Sequence, residues 1–379
     1  MLKVEELRAL ARYLRGQHDV ALIEHETTGE VYYSRGTALD GVPMSPIVNL
    51  IQVLNTHGYM GYGALRHKQP IYYTGKPSTM DTGMASMNDI TLRDVDRKKP
   101  EKDYDPATKH PEVRLIEVPD DGRFLPCGQF DLPALTPVSV GAMGGKNPAI
   151  TEYDRIYMMT AFALVTNRFV RETSSNANIG AILVAPTGTI VAWALNAKEY
   201  NSTFHAEVNL LQALHRHSPN LLGQLQGYRL YTTLKPCKMC AAMIRQVGEG
   251  AISVIYGQDD TGVDARGTAL DSKQQQWLLP QSINIGDSSK SVSMQDKLHE
   301  TREATKSQGN MSQTLTTDGA RNLMLMASTT ALDRELRAMK ALGKGGVLLV
   351  YRHIKDFLKV RNVSPKQILA AIDEIYGPK

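Results

Sequence analysis

Two short stretches of this chain, His205-Ala206-Glu207 and Pro236-Cys237-Lys238-Met239-Cys240, combine residue types and spacings that could do chemistry. Cysteines three apart on a helix share a face, so the sulfurs of Cys237 and Cys240 can reach one ion. Pro236 suits the start of that helix, where backbone N–H groups and the helix dipole favour thiolates. Two soft sulfurs and the His205 imidazole select Zn2+, and three protein ligands leave the fourth tetrahedral position open to water. Zinc lowers the pKa of such a water to about 7. Glu207 then has no ligand duty, and a carboxylate beside an acidified water is a proton shuttle. His205 and Glu207 would lie about 200° apart around a regular helix, so both must sit at a first turn that is approached end-on.

Other residues compete for metal roles and have plainer readings. Cys127, the remaining cysteine, could close a structural site as a fourth ligand, but a lone cysteine reads as a small apolar residue. His215 and His217 form a second pair at a helix end, where solvation or a favourable contact with the helix dipole accounts for them. With 3 cysteines the chain lacks the even, larger complement of a disulfide scaffold, so a reducing, cytoplasmic setting is expected. Residues 1–16 alternate charged and apolar residues, unlike a signal peptide, and no apolar run is long enough to span a membrane. The net charge of +4 permits an anionic partner without requiring one.

Elements must bring these residues together. Periodicity predicts a helix over Val4 to Leu14, strands at Val20 to Glu24 and Glu30 to Ser34 across a Thr27-Thr28-Gly29 turn, and a helix from Pro46 after Ser45 to Gly58. From Thr74 to Pro111 the chain is rich in Gly, Pro, Ser, Thr and Asp, and its charged run Arg93 to Lys102 reads as exposed loop; Arg97, Lys98 and Lys99 are diluted by nearby acids as a nucleic-acid contact. A helix from about Thr151 to Arg171 precedes a hairpin, Gly180 to Ala185 and Thr189 to Leu195, turned by Pro186-Thr187-Gly188. A helix from His205 to about His215, a strand at Arg229 to Leu234, a helix from Pro236 to about Val247 and a strand at Ala251 to Tyr256 complete the pattern. Strands joined through a helix favour parallel pairing. A polar stretch from Gly286 to about Asp318 precedes helices at Ala320 to Leu342 and from Ser364 to Tyr376. No internal repeat is evident. The expected division is a small N-terminal α/β domain over 1–140, a central domain over 150–285 and a mainly helical C-terminal extension over 286–379.

The stretch from about Thr151 to Ser272 resembles the cytidine deaminase-like superfamily, especially its tRNA adenosine and guanine deaminase branch. Gly180-Ala181-Ile182-Leu183-Val184, Trp193-Ala194-Leu195-Asn196, Leu230-Tyr231-Thr232-Thr233-Leu234-Lys235-Pro236-Cys237 and Tyr256-Gly257-Gln258-Asp259-Asp260-Thr261-Gly262 carry the resemblance, together with the His-Ala-Glu and Pro-Cys-x-x-Cys signature. It implies a three-layer α/β/α sandwich on a five-stranded mixed sheet. It also implies that Asn196 contacts the base, where a strand-ending turn is the plainer role, and that the Ala206 backbone N–H does so too. A homodimer is among the partners it allows. Lys235 stands where tRNA adenosine deaminases carry glutamate.

The expected reaction is hydrolytic deamination of a nucleobase, cytosine or adenine, in a nucleic acid or nucleoside, with Zn2+ bound by His205, Cys237 and Cys240 and with Glu207 moving protons. The alternatives are a deaminase of free nucleosides, nucleotides or guanine, and a catalytically silent zinc module that binds nucleic acid or protein. Glu207 argues against the last, since a structural zinc has no use for a carboxylate that is not a ligand.

Overall fold

The computed structural model describes residues 2–37, 39, 41–56, 69–95, 104–118, 152–166, 178–198, 201–248, 251–257, 260, 262–270, 353–354 and 357. Helix α1 (Val4–Arg15) carries Glu5 and Glu6 in its first turn and Arg12 and Arg15 in its last, the order that suits the helix dipole. Strands β1 (Asp19–Glu24) and β2 (Val31–Gly36) pair antiparallel. Their turn needs Gly29, whose φ is +70°. Helix α2 (Pro46–Thr56) starts on a proline, which has no N–H to lose there. Strand β3 (Ile71–Tyr73) pairs antiparallel with β1, α3 (Thr79–Met87) follows, and β4 (Leu92–Asp94) returns parallel to β3. After the single turn α4 (Pro106–Lys109), β5 (Leu115–Glu117) adds parallel to β2, giving the order β4-β3-β1-β2-β5.

Strand alternation divides this sheet between two layers. Val20 and Leu22 face α1 along with Val31 and Tyr33. Ala21 and Ile23 face the other way and share one core with Ile47, Leu50 and Ile51 of α2 and Met80 and Met84 of α3.

The second unit comprises α5 (Glu152–Thr166), the hairpin β6 (Gly180–Val184) and β7 (Ile190–Leu195), α6 (Ala206–His217), the single turn α7 (Pro219–Leu222), β8 (Arg229–Thr232), α8 (Lys238–Gly248) and β9 (Ser253–Tyr256). Strand β6 pairs antiparallel with both β7 and β8, and β9 lies parallel to β8, in the order β7-β6-β8-β9. The buried Arg229 guanidinium meets the buried Asp154 carboxylate, which also accepts from the Tyr231 hydroxyl at 2.6 Å, so α5 is pinned to β8. His353 Nε2 accepts from the backbone N–H of Ile190 at 2.9 Å, and Phe357 meets Trp193 edge-on, so these two residues pack against β7.

A mixed α/β architecture with a five-stranded mixed sheet is present, with one difference of place. The five-stranded sheet belongs to the first unit, and the sheet of the second unit has four strands among the described residues. Two expectations are corrected. The charged run expected as loop from Arg93 begins inside β4, and the Gly-, Ser- and Thr-rich residues before it include α3. Ser78 and Asp81, which look like turn residues, form a capping box at the start of α3. Nor is the chain free of repetition. The order helix, hairpin, helix, strand, helix, strand occurs twice, with the same pairing directions and the same strand order. The sequences around Cys127, the Arg97-Lys98-Lys99 cluster and the helices expected over Ala320 to Leu342 and from Ser364 to Tyr376 lie outside the described residues. Among the described residues no helix is long and apolar enough to cross a membrane.

Candidate metal centre

Helices α6 and α8 present their N-terminal ends to a common point. His205 is the residue before α6, with extended backbone (φ −71°, ψ 156°), and Glu207 is the second residue of the helix, so both lie at its mouth as the spacing requires. Cys237 directly precedes α8 and Cys240 lies in its first turn. Asn209, one turn into α6, donates to the carbonyls of Leu195 at 2.9 Å and Phe204 at 3.2 Å. That side chain ties α6 to the end of β7 and fixes the segment that delivers His205.

His205 Nδ1 lies 3.5 Å from Cys237 Sγ and 3.5 Å from Cys240 Sγ, and the two sulfurs are 3.6 Å apart. Tetrahedral zinc with ordinary bond lengths would space two sulfurs by about 3.8 Å and sulfur from imidazole nitrogen by about 3.6 Å. The donor set and its spacing therefore fit zinc. Among the described residues, His205, Cys237 and Cys240 form the one group of at least three His, Cys, Asp or Glu side chains drawn together in this way. His215, partly buried on α6, is not in it.

Glu207 is buried and accepts a hydrogen bond from the Thr232 hydroxyl at 2.8 Å. Burial raises its carboxyl above the usual range, with His205 pulling the other way and Cys237 adding to the rise. The Cys237 thiol is held well below its ordinary value, first by its hydrogen bond with Cys240 and then by His205. Burial pushes the Cys240 thiol well up.

Asn196 is buried just past β7, its backbone N–H donating to the Ile179 carbonyl at 2.9 Å. Ala206 is buried as the first residue of α6, where a helix leaves backbone N–H groups without intrahelical acceptors. Lys235 extends its ammonium over the Tyr256 ring, 5.9 Å from the centroid. Thr232 is the residue that pattern reading passes over. It looks like any β-branched strand residue, and only the pairing of β8 reveals that its hydroxyl reaches Glu207.

Residues 171–277 match the family model described as Bd3614-like deaminase. The tRNA-specific adenosine deaminase of Bacillus subtilis (strain 168) is 32% identical over 127 residues, which are 32% of this chain and 73% of that protein. A solved structure from studies of A-to-I editing by tRNA:A34 deaminases is 33% identical, with a TM-score of 0.22, covering 31% of this chain and 85% of that one. The apo dCMP deaminase of cyanophage S-TIM5 is 25% identical, with a TM-score of 0.23, covering 30% of this chain and 90% of that one.

Proposed function

Because the chain belongs to the cytidine deaminase-like superfamily, with a relative among the tRNA adenosine deaminases, we propose that it is a zinc-dependent hydrolytic deaminase acting on a nucleobase held in RNA, adenine first. The observation that carries this reading is the trio of ligand atoms 3.5 to 3.6 Å apart beside a buried carboxylate that is not one of them. A structural zinc would want a fourth protein ligand, and no fourth is grouped with these three among the described residues.

His205, Cys237 and Cys240 would hold the zinc. The chemistry such a metal would supply there is acidification of a water, the nucleophile for the ring carbon that bears the amine. Glu207 would take one proton from the attacking water and deliver it to the ring nitrogen beside the attacked carbon, then take the remaining proton of the added hydroxyl and give it to the departing amine, so that the C–N bond breaks and ammonia leaves. Burial suits this relay, since a carboxylate whose proton affinity is raised is a stronger base toward the water's proton. Thr232 holds the carboxylate in one rotamer. Asn196 and the Ala206 N–H orient the base edge, and a reducing compartment keeps both thiols available.

The test is ammonia release with product mass, comparing wild type and Glu207→Ala on bulk tRNA, single-stranded RNA and DNA, and free nucleosides. Inosine formed in tRNA by the wild type alone is expected. Turnover of free nucleosides only would replace RNA with a metabolite as substrate, and a zinc-loaded wild type that releases no ammonia from any of them would sink the enzymatic reading.

A further inference from the structure

The two units correspond residue by residue, in register as well as in topology. Pairing of Ala21 with Tyr73 and Leu22 with Tyr72 matches pairing of Ala181 with Thr232 and Ile182 with Tyr231. In the first unit Val20 N donates to Thr74 Oγ1 at 2.9 Å while Thr74 N donates to the Val20 carbonyl at 2.9 Å. In the second, Gly180 N donates to Thr233 Oγ1 at 3.0 Å while Thr233 N donates to the Gly180 carbonyl at 3.0 Å. With that register fixed, Val48-Asn49-Leu50, Gln52 and Leu54 of α2 fall on Val208-Asn209-Leu210, Gln212 and Leu214 of α6. Likewise Lys76-Pro77, Met80 and Met84 fall on Lys235-Pro236, Met239 and Met243.

The same correspondence places Ser45 on His205, Ser78 on Cys237, Asp81 on Cys240 and Ile47 on Glu207. Each first-unit residue occupies the equivalent point of its element. Ser45 directly precedes α2, Ser78 is the residue before α3, and Asp81 lies in the first turn of α3. They meet, too. Ser45 Oγ donates to Asp81 Oδ1, and Ser78 donates to Asp81 Oδ2 from its backbone N at 2.7 Å and its hydroxyl at 2.8 Å. Val48 N and Asp81 N donate in turn to the two serine hydroxyls. Hydrogen bonds thus close the place where an ion would sit, and a buried isoleucine fills the place of the proton shuttle.

Between the units, equivalent residues touch each other. Gln52 Nε2 donates to Gln212 Oε1 at 3.1 Å and Gln212 Nε2 donates to Gln52 Oε1 at 3.1 Å. Gln52 also donates to Thr203 Oγ1 at 3.3 Å, and Gln212 to the carbonyl of Pro43, the position equivalent to Thr203, at 3.1 Å. Gly83 on α3 lies against Ala242, its equivalent on α8, so closely that a Cβ there would stand 2.5 Å from the Ala242 Cβ and 2.8 Å from the Lys238 carbonyl. Reciprocal contacts between equivalent residues are the mark of an isologous twofold interface.

We propose that the first unit is a second, metal-free copy of the deaminase fold, docked about a pseudo-twofold axis as the built-in partner of the catalytic unit. It covers the α6/α8 face that a second chain would otherwise need for the same pairing. It also braces the segment entering His205, since Asn201 donates to the Gln52 carbonyl at 2.8 Å and Asn55 donates to Ser202 Oγ at 2.7 Å.

The proposal rests on zinc being held by His205, Cys237 and Cys240, and the full chain tests both readings. Zinc per chain is measured for wild type, for Ser45→His/Ser78→Cys/Asp81→Cys, for Cys237→Ser, and for all four substitutions combined. The expected content is about one, two, zero and one ion per chain in that order. A folded triple variant that stays at the wild-type content overturns the equivalence of the two centres. Wild type without zinc sinks the proposed function instead, and the built-in partner is then judged by Gln52→Ala, Gln212→Ala and their double variant, as it is if the triple variant fails to fold. The two single variants should lower the melting temperature by similar amounts and the double by less than their sum; additive losses would overturn the pseudo-twofold pairing.

Discussion

At the mouth of α8 two thiols and an imidazole stand at the spacing of a tetrahedral ion's edges, whereas at the mouth of α3 two hydroxyls and a carboxylate satisfy one another directly. The backbone scaffold of the two places is the same, so the fold alone does not confer the chemistry. What differs is whether the side chains leave something outside themselves to be bound. Thiolates make poor hydrogen-bond partners and good metal ligands, while serine and aspartate pair readily without an ion.

The largest effect should separate these centres by activity. Glu207→Gln is expected to keep zinc and to lower turnover by about 10²- to 10⁴-fold in an ammonia-release assay, while Asp81→Asn leaves turnover close to wild type. Equal losses in both variants would mean that the first centre takes part in the reaction. Stability should also distinguish the units, because the buried Arg229–Asp154 pair pins α5 while α1 is held by apolar packing. Asp154→Ala leaves a buried guanidinium uncompensated and should cost about 3–5 kcal/mol in urea unfolding. For Asp81→Asn the loss should be about 1–3 kcal/mol, since an amide nitrogen cannot accept both Ser78 hydrogen bonds. The smallest effect belongs to the first unit's outer edge, where Arg35 holds the Glu117 carboxyl below its usual range. A carboxyl depressed in the folded state stabilises above its unfolded pKa, about 4.3, and this is lost as pH falls through the folded value. Wild type should therefore exceed Glu117→Gln by no more than about 1 kcal/mol at neutral pH, given the exposure of both side chains, and the two should converge in acid.

The second unit was legible because a donor set suited to zinc draws on few residue types, and because Pro186-Thr187-Gly188 and Pro236 punctuate its elements clearly. The first unit was much less so. Around α3 the residues Ser78, Thr79, Asp81, Thr82 and Gly83 give no helical apolar pattern, yet Ser78 and Asp81 cap the helix and Gly83 admits α8. The repetition is faint in the sequence because its period is a whole folding unit and its signature residues differ, Ser45 standing at the place of His205 and Asp81 at that of Cys240. Strand register, which composition does not reveal, shows which residues to compare. Thr232 was hidden for a related reason, since one strand of a sequence does not announce which side chain faces a helix mouth.

Gly83 facing Ala242 also says something about how the pair persists. Two identical chains about a twofold axis must carry the same residue on both sides, so this close fit of unlike residues belongs to halves joined in one polypeptide. Association is then unimolecular, and the tether sets an effective concentration that dilution does not change. A homodimer separates as protein becomes scarce, but here each catalytic centre keeps its companion at any cellular abundance, and activity per molecule should be independent of enzyme concentration.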